Sequence, residues 1–199
     1  MKSQSVLKFF FGWIFRLFFP VRVVRREDFY TDGAVMVVCN HIHLLDPALL
    51  VAHHPKPVSF MAKKELFASR FGNWLFGRML GAVPVDRDGA DVAAMKTLIR
   101  RLKNGEVVGV FPEGTRHRDG RMGEFHSGAA LMALRTGATI QPVAYTRSIR
   151  LFRRTTLVVG QPLDLSDLAG QRVTREMADE VTRRVRDAIA ALRATVTTE

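Results

Sequence analysis

An α/β fold is expected of this chain: a single domain built on a mixed, largely parallel central sheet flanked by helices, with an amphipathic helix at the amino terminus. Three observations lead there. Beyond Pro20, short β-branched runs alternate with segments of helical periodicity, the pattern of strands joined by crossover helices. The 199 residues suffice for one domain with a sizeable core and fall short of two ordinary ones. Composition is globular, at 47% hydrophobic and 25% charged residues, which argues against disorder over any long stretch. No repeat or low-complexity linker divides the chain. The expected organisation is therefore a helix over residues 1–20 and one domain over residues 21–199.

The first element is the amino-terminal helix. From Val6 to Phe19, eleven of fourteen residues are large and apolar, six of them Phe, and only Lys8, Gly12 and Arg16 interrupt the run. Their four-residue spacing gathers them into a narrow polar stripe on a helix, opposite a broad aromatic face. At about 1.5 Å per residue the segment covers about 21 Å, short of the roughly 30 Å hydrocarbon core. Arg16 would also be costly at mid-membrane. The segment is expected to lie in the interface of an anionic membrane, peripheral or monotopic on its cytoplasmic face. A secretory signal fits poorly, because Arg16 breaks the run and no small-x-small cleavage site precedes Arg22, Arg25 and Arg26. A core helix packed on the domain is the plain alternative, though six Phe exceed what so short a helix needs to bury.

Strands are expected at residues 34–39, 58–61, 82–85, 106–111, 139–144 and 156–159, each a short β-branched run. Helical spacing marks residues 71–80 and 90–103, and residues 128–135 read as a short core helix closed by Gly137. In the last helix, Met177, Val181, Val185, Ile189 and Leu192 form one apolar stripe, a packing face.

Charge narrows the function. Thirty Lys and Arg against 19 Asp and Glu leave +11, so the surface attracts polyanions such as nucleic acid, anionic headgroups or an acidic protein. With no RNA-binding aromatic motif and no clear helix-turn-helix, nucleic acid is not expected as a partner. The single Cys39 excludes an internal disulfide, and no Cys/His set has zinc-finger spacing, so neither a metal nor another cofactor is expected.

The chemistry collects where strands end. Asn40 and His41 follow the strand at 34–39, and Pro47 turns the chain into a helix after Asp46. Asp46 can then accept one imidazole N–H of His41, fixing its tautomer and leaving the other nitrogen to take a proton from a hydroxyl. Cys39 lies close enough to His41 for a covalent acyl-cysteine route to stand beside its reading as a buried small hydrophobe. In Phe111-Pro112-Glu113-Gly114-Thr115-Arg116, Gly114 would let backbone N–H groups approach an anion. Arg116 suits phosphate, and Glu113 could accept hydrogen bonds from hydroxyl groups. Arg87, ending Gly81-Ala82-Val83-Pro84-Val85-Asp86-Arg87, is a second candidate phosphate ligand. Arg118, Arg121, Arg153 and Arg154 read instead as solvated charges.

Taken together and in order, these blocks resemble the glycerolipid acyltransferase family whose best-known member acylates 1-acylglycerol-3-phosphate. The resemblance spans roughly residues 30–165 and also includes residues 63–67, Gly128, Ile140-Gln141-Pro142-Val143 and Val159-Gly160-Gln161-Pro162-Leu163. It implies that His41 is the general base, that Asp46 orients it, and that Arg87, Glu113, Gly114, Thr115 and Arg116 hold the acceptor's glycerol phosphate. The implied reaction moves a fatty acyl group from acyl-CoA or acyl-carrier protein to the free hydroxyl of 1-acylglycerol-3-phosphate, giving phosphatidic acid. Another lysophospholipid or a lyso-aminolipid is the alternative acceptor, and a non-catalytic module binding anionic membranes is the alternative in kind. His43, His126 and Gln141 depart from the family's usual residues, and His43 competes with His41 for Asp46. Phe71, Trp74, Phe76 and Met79 are candidates to line the acyl chain.

Overall fold

The computed structural model describes residues 17–25, 28–86, 92–117, 121–147 and 149–195. The expected amino-terminal helix lies outside these residues but for its last few positions. Eight strands run in chain order: β1 Val21–Val24, β2 Val35–Cys39, β3 Val58–Ser59, β4 Met61–Lys63, β5 Val83–Val85, β6 Val107–Val110, β7 Thr139–Tyr145 and β8 Thr155–Val159. Four helices stand out, α1 Asp46–His53, α2 Val92–Lys103, α3 Gly128–Thr136 and α4 Arg175–Ala194. The main sheet has the order β1-β8-β7-β2-β6-β3. Strand β2 pairs in parallel with both β6 and β7, β3 with β6, and β1 with β8, while β7 and β8 are antiparallel. The single α/β domain with a mostly parallel sheet is as expected.

Burial explains why β2 reads Val-Met-Val-Val-Cys without alternation. Both faces of a parallel sheet are covered, so every residue of its central strand is buried. Met36 and Val38 point into a core with Leu98 of α2, Met132 of α3 and Ile189 of α4. Val35, Val37 and Cys39 point the other way, onto Leu49 and Leu50 of α1 and the rings of Phe29 and Phe60. Leu49 and Leu50 are fully buried, each contributing about 1.5–3 kcal/mol. That packing pins α1, and with it Asp46 at its first position. Gly109 in β6 leaves room for the Phe60 ring, whose Cε1 would lie 1.9 Å from a Cβ there.

Helix signals hold where they are local. Gly137 closes α3 at φ 66°, a left-handed cap that favours glycine. Thr174 caps α4 by accepting the Met177 N–H at 3.2 Å, and the predicted stripe of that helix is buried along its length.

Four expectations change. Strand β1 was not expected; four residues beside an aromatic run carry little signal alone, and the strand exists by pairing with β8. The run at 58–61 breaks at Phe60 into β3 and β4. The strand expected at 82–85 leaves the main sheet and pairs in parallel with β4 as a separate ribbon. Residues 73–79 wind as a π-helix instead of an α-helix, next to a close approach in which a Cβ at Gly72 would meet the Leu66 carbonyl at 2.1 Å.

Candidate active site

Strand β2 delivers Asn40 and His41 to the carboxyl edge of the sheet, and α1 starts five residues later. The loop between them folds back on the helix's first residue. Asp46 Oδ2 accepts the His41 ring Nδ1 at 2.9 Å, the Ile42 N–H at 2.7 Å and the His43 N–H at 2.8 Å. With Asp46 fully buried and accepting, Nδ1 carries the hydrogen and Nε2 is left as the basic nitrogen. The His41 ring stacks on Phe111 at 4.3 Å, which fixes its plane, and its side chain is 12% exposed, so a substrate can reach it.

His43 lies in the same loop. Its ring Nδ1 accepts the Leu45 N–H at 3.2 Å, so it faces its own turn while Asp46 holds His41. Cys39 is fully buried, and burial together with the nearby Asp46 carboxylate pushes its thiol well above the usual range. It packs as a small hydrophobe, and its position gives the acyl-cysteine route no support.

Glu113 is placed differently from expectation. It is buried, with Oε1 accepting the His41 N–H at 2.8 Å and Oε2 accepting the Gly123 N–H at 2.8 Å. His117 also approaches, its Nε2 at 3.6 Å from Oε2, and its own N–H donates to the His41 carbonyl at 2.9 Å. Glu113 thus holds the backbone of His41, with each of its oxygens accepting a backbone N–H. Gly114 adopts φ 63° and closes a turn in which its own N–H donates to the Phe111 carbonyl at 3.1 Å.

Thr115 and Arg116 are exposed beside this turn. The Arg116 guanidinium has no hydrogen-bond or ion-pair partner among the described residues, which leaves its planar fork open to an anion. Arg87 lies outside the described residues. Of the candidate acyl lining, Phe71 is 67% exposed and its ring lies 5.9 Å from that of Trp74 at the surface.

Two residues escaped the sequence reading. Asn40 donates from Nδ2 to the Tyr145 carbonyl at 3.0 Å and accepts the Tyr145 N–H at 2.8 Å, clamping the end of β7 to the loop that carries His41. The Tyr145 hydroxyl donates to the Asp46 carbonyl at 2.9 Å, and burial pushes that phenol well above its usual range, so it stays a donor. The only sequence cue was Asn40 standing at a strand end. Gln141, by contrast, is a buried strut within β7, level with Val37 of β2, donating to the carbonyls of Asp28 at 2.6 Å and Gly160 at 3.0 Å.

Residues 20–146 match the protein-family model described as Acyltransferase. The chain belongs to the acyltransferase family. Among curated members it is 34% identical over 156 residues to a 1-acyl-sn-glycerol-3-phosphate acyltransferase of Bacillus subtilis, covering 75% of this chain and 76% of that one. It is 37% identical over 145 residues to the Streptococcus pneumoniae enzyme of the same name, covering 69% of this chain and 53% of that one. The crystal structure of the 1-acyl-sn-glycerophosphate acyltransferase from Thermotoga maritima superposes with a TM-score of 0.70 at 27% identity, over 97% of this chain and 83% of the other. The acyltransferase match ends at Thr146, one residue beyond Tyr145, and contains the whole dyad, its clamp and the Glu113 brace.

Proposed function

We propose that this acyltransferase moves a fatty acyl group from a thioester donor, acyl-CoA or acyl-carrier protein, to the free hydroxyl of 1-acylglycerol-3-phosphate, forming phosphatidic acid. The observation that carries the reading is the His41–Asp46 dyad at 2.9 Å, at the carboxyl edge of the sheet, in a chain whose relatives bear that activity in their names. His41 Nε2 takes the proton of the acceptor hydroxyl as its oxygen attacks the thioester carbonyl. The C–S bond breaks as the tetrahedral intermediate collapses, and the imidazolium returns its proton to the leaving thiolate. General-base assistance of this kind supplies about 10²- to 10⁴-fold.

Arg116, exposed and unpartnered among the described residues, supports a phosphate-bearing acceptor and is assigned the phosphate, with Arg87 as a second ligand. Thr115 is placed beside that phosphate, while Glu113 and Gly114 shape the loop that presents both. The acceptor and product are amphiphiles, so the enzyme works as a peripheral protein at the cytoplasmic face of the membrane, with residues 1–20 as its interfacial helix. Among the described residues no helix is long and apolar enough to cross a membrane.

The test compares acceptors at one donor concentration. 1-Acylglycerol-3-phosphate is expected to be converted to phosphatidic acid, with Arg116→Ala raising its KM about tenfold or more, as loss of a charge-assisted contact does. Faster turnover of an acceptor lacking phosphate would refute the assignment of Arg116.

A further inference from the structure

The chain from Arg150 to Arg153 makes a tight turn, closed by a bridge between those residues and by the Arg153 N–H donating to the Arg150 carbonyl at 3.2 Å. Its two central positions, normally given to Gly, Asn or Asp, hold Leu151 and Phe152. Both point away from the domain, 55% and 65% exposed. Phe152 adopts φ 57°, a conformation unusual for a bulky residue. Its N–H donates to the Phe18 carbonyl at 2.8 Å and its ring lies 5.6 Å from that of Phe18, so the turn is fastened to the segment that leads into β1. Leu17 and Phe18 are also exposed, at 58% and 39%. Large apolar side chains held outward at the tip of a turn bury nothing within the domain.

Charge indicates what covers them. Arg147, Arg150, Arg153 and Arg154 surround the tip, all exposed, and no acidic residue occurs between Tyr145 and Asp164. Topology supplies the orientation. β8 runs antiparallel to β7 and β1 runs parallel to β8, so the turn before β8 and the segment before β1 meet at the edge where β2 delivers His41. Two strand spacings separate β8 from β2, about 10 Å.

We propose that Leu151 and Phe152, with Phe18 beside them, form a wedge that enters the headgroup boundary of an anionic bilayer while the surrounding arginines bind its phosphates. The wedge sets the catalytic edge against the surface that holds the lipid. It adjoins the segment of residues 1–20, to which Phe18 belongs, and it stands whether or not the chain transfers acyl groups, since its readout is spectroscopic.

The test uses the full chain carrying Leu151→Cys, labelled with a polarity-sensitive fluorophore. Cys39 is fully buried with its thiol pKa raised, so labelling is directed to the new thiol. Asp32→Cys, exposed just before β2 at the opposite edge, is the control. With phosphatidylglycerol vesicles the Leu151 probe is expected to brighten several-fold and shift to the blue, while the Asp32 probe stays as in buffer. Raising salt from about 0.1 to 1 M, which shortens the Debye length from about 10 to about 3 Å, should weaken the response. A Leu151 probe that stays in water while the protein floats with the vesicles overturns the wedge. So do equal responses from both sites, a response to acidic acyl-carrier protein without lipid, or a shift that grows with protein concentration alone.

Discussion

His41 is set from three sides, and each constraint has its own cause. Asp46 fixes which ring nitrogen is basic, Phe111 fixes the plane of the ring, and Glu113 fixes the backbone by accepting its N–H. The dyad could be read from the sequence because its partners are five residues apart on one loop. Glu113 could not, because it meets His41 across 72 residues of chain, and a carboxylate in a motif looks the same whether it faces a substrate or a backbone amide. Its position yields a distinguishing experiment. Glu113→Gln keeps one acceptor oxygen and places an amide NH₂ against one of the two backbone N–H groups, of His41 and Gly123, that now find acceptors. Stability should fall by about 1–3 kcal/mol and kcat should drop, with the acceptor KM held. A rise in KM with kcat unchanged would return Glu113 to the substrate.

The elements divide by how local their causes are. Strand β2, α3 and α4 were legible because burial, a left-handed glycine cap and a 3.6-residue stripe are written into neighbouring positions. The edge strand β1 and the β4–β5 ribbon were not, since each is defined by a partner distant in sequence. The same is true of the clamp between β7 and the catalytic loop, where Asn40 meets Tyr145 across 105 residues. Asn40→Ala would leave the Tyr145 N–H and carbonyl without these bonds in a fully buried place. Urea denaturation should report a loss of about 1–3 kcal/mol, and activity should fall because the loop carrying His41 loses its register. Unchanged stability and activity together would show that the strand end holds without the clamp.

Across the whole molecule the two edges of the sheet differ in kind. One, before β2, carries the exposed Asp32 and Gly33. The other carries the His41–Asp46 dyad, the exposed Arg116, and exposed apolar side chains that include Leu44 in the His41 loop and Phe152 at the turn. A net charge of +11 adds attraction to an anionic leaflet at about 1 kcal/mol for each basic residue near the surface. Under the proposed function such polarity would let the acceptor hydroxyl reach His41 without its acyl chain leaving the bilayer. The proposed function rests on His41 being the base of an acyl transfer. The most direct measurement is thiol release from a long-chain acyl-CoA or acyl-carrier protein by the purified protein, with and without 1-acylglycerol-3-phosphate, beside His41→Ala. The dyad predicts release that requires the acceptor and falls about 10²- to 10⁴-fold or more in a variant that melts like the parent. Acceptor-independent release, or full acceptor-dependent release from His41→Ala, would contradict it.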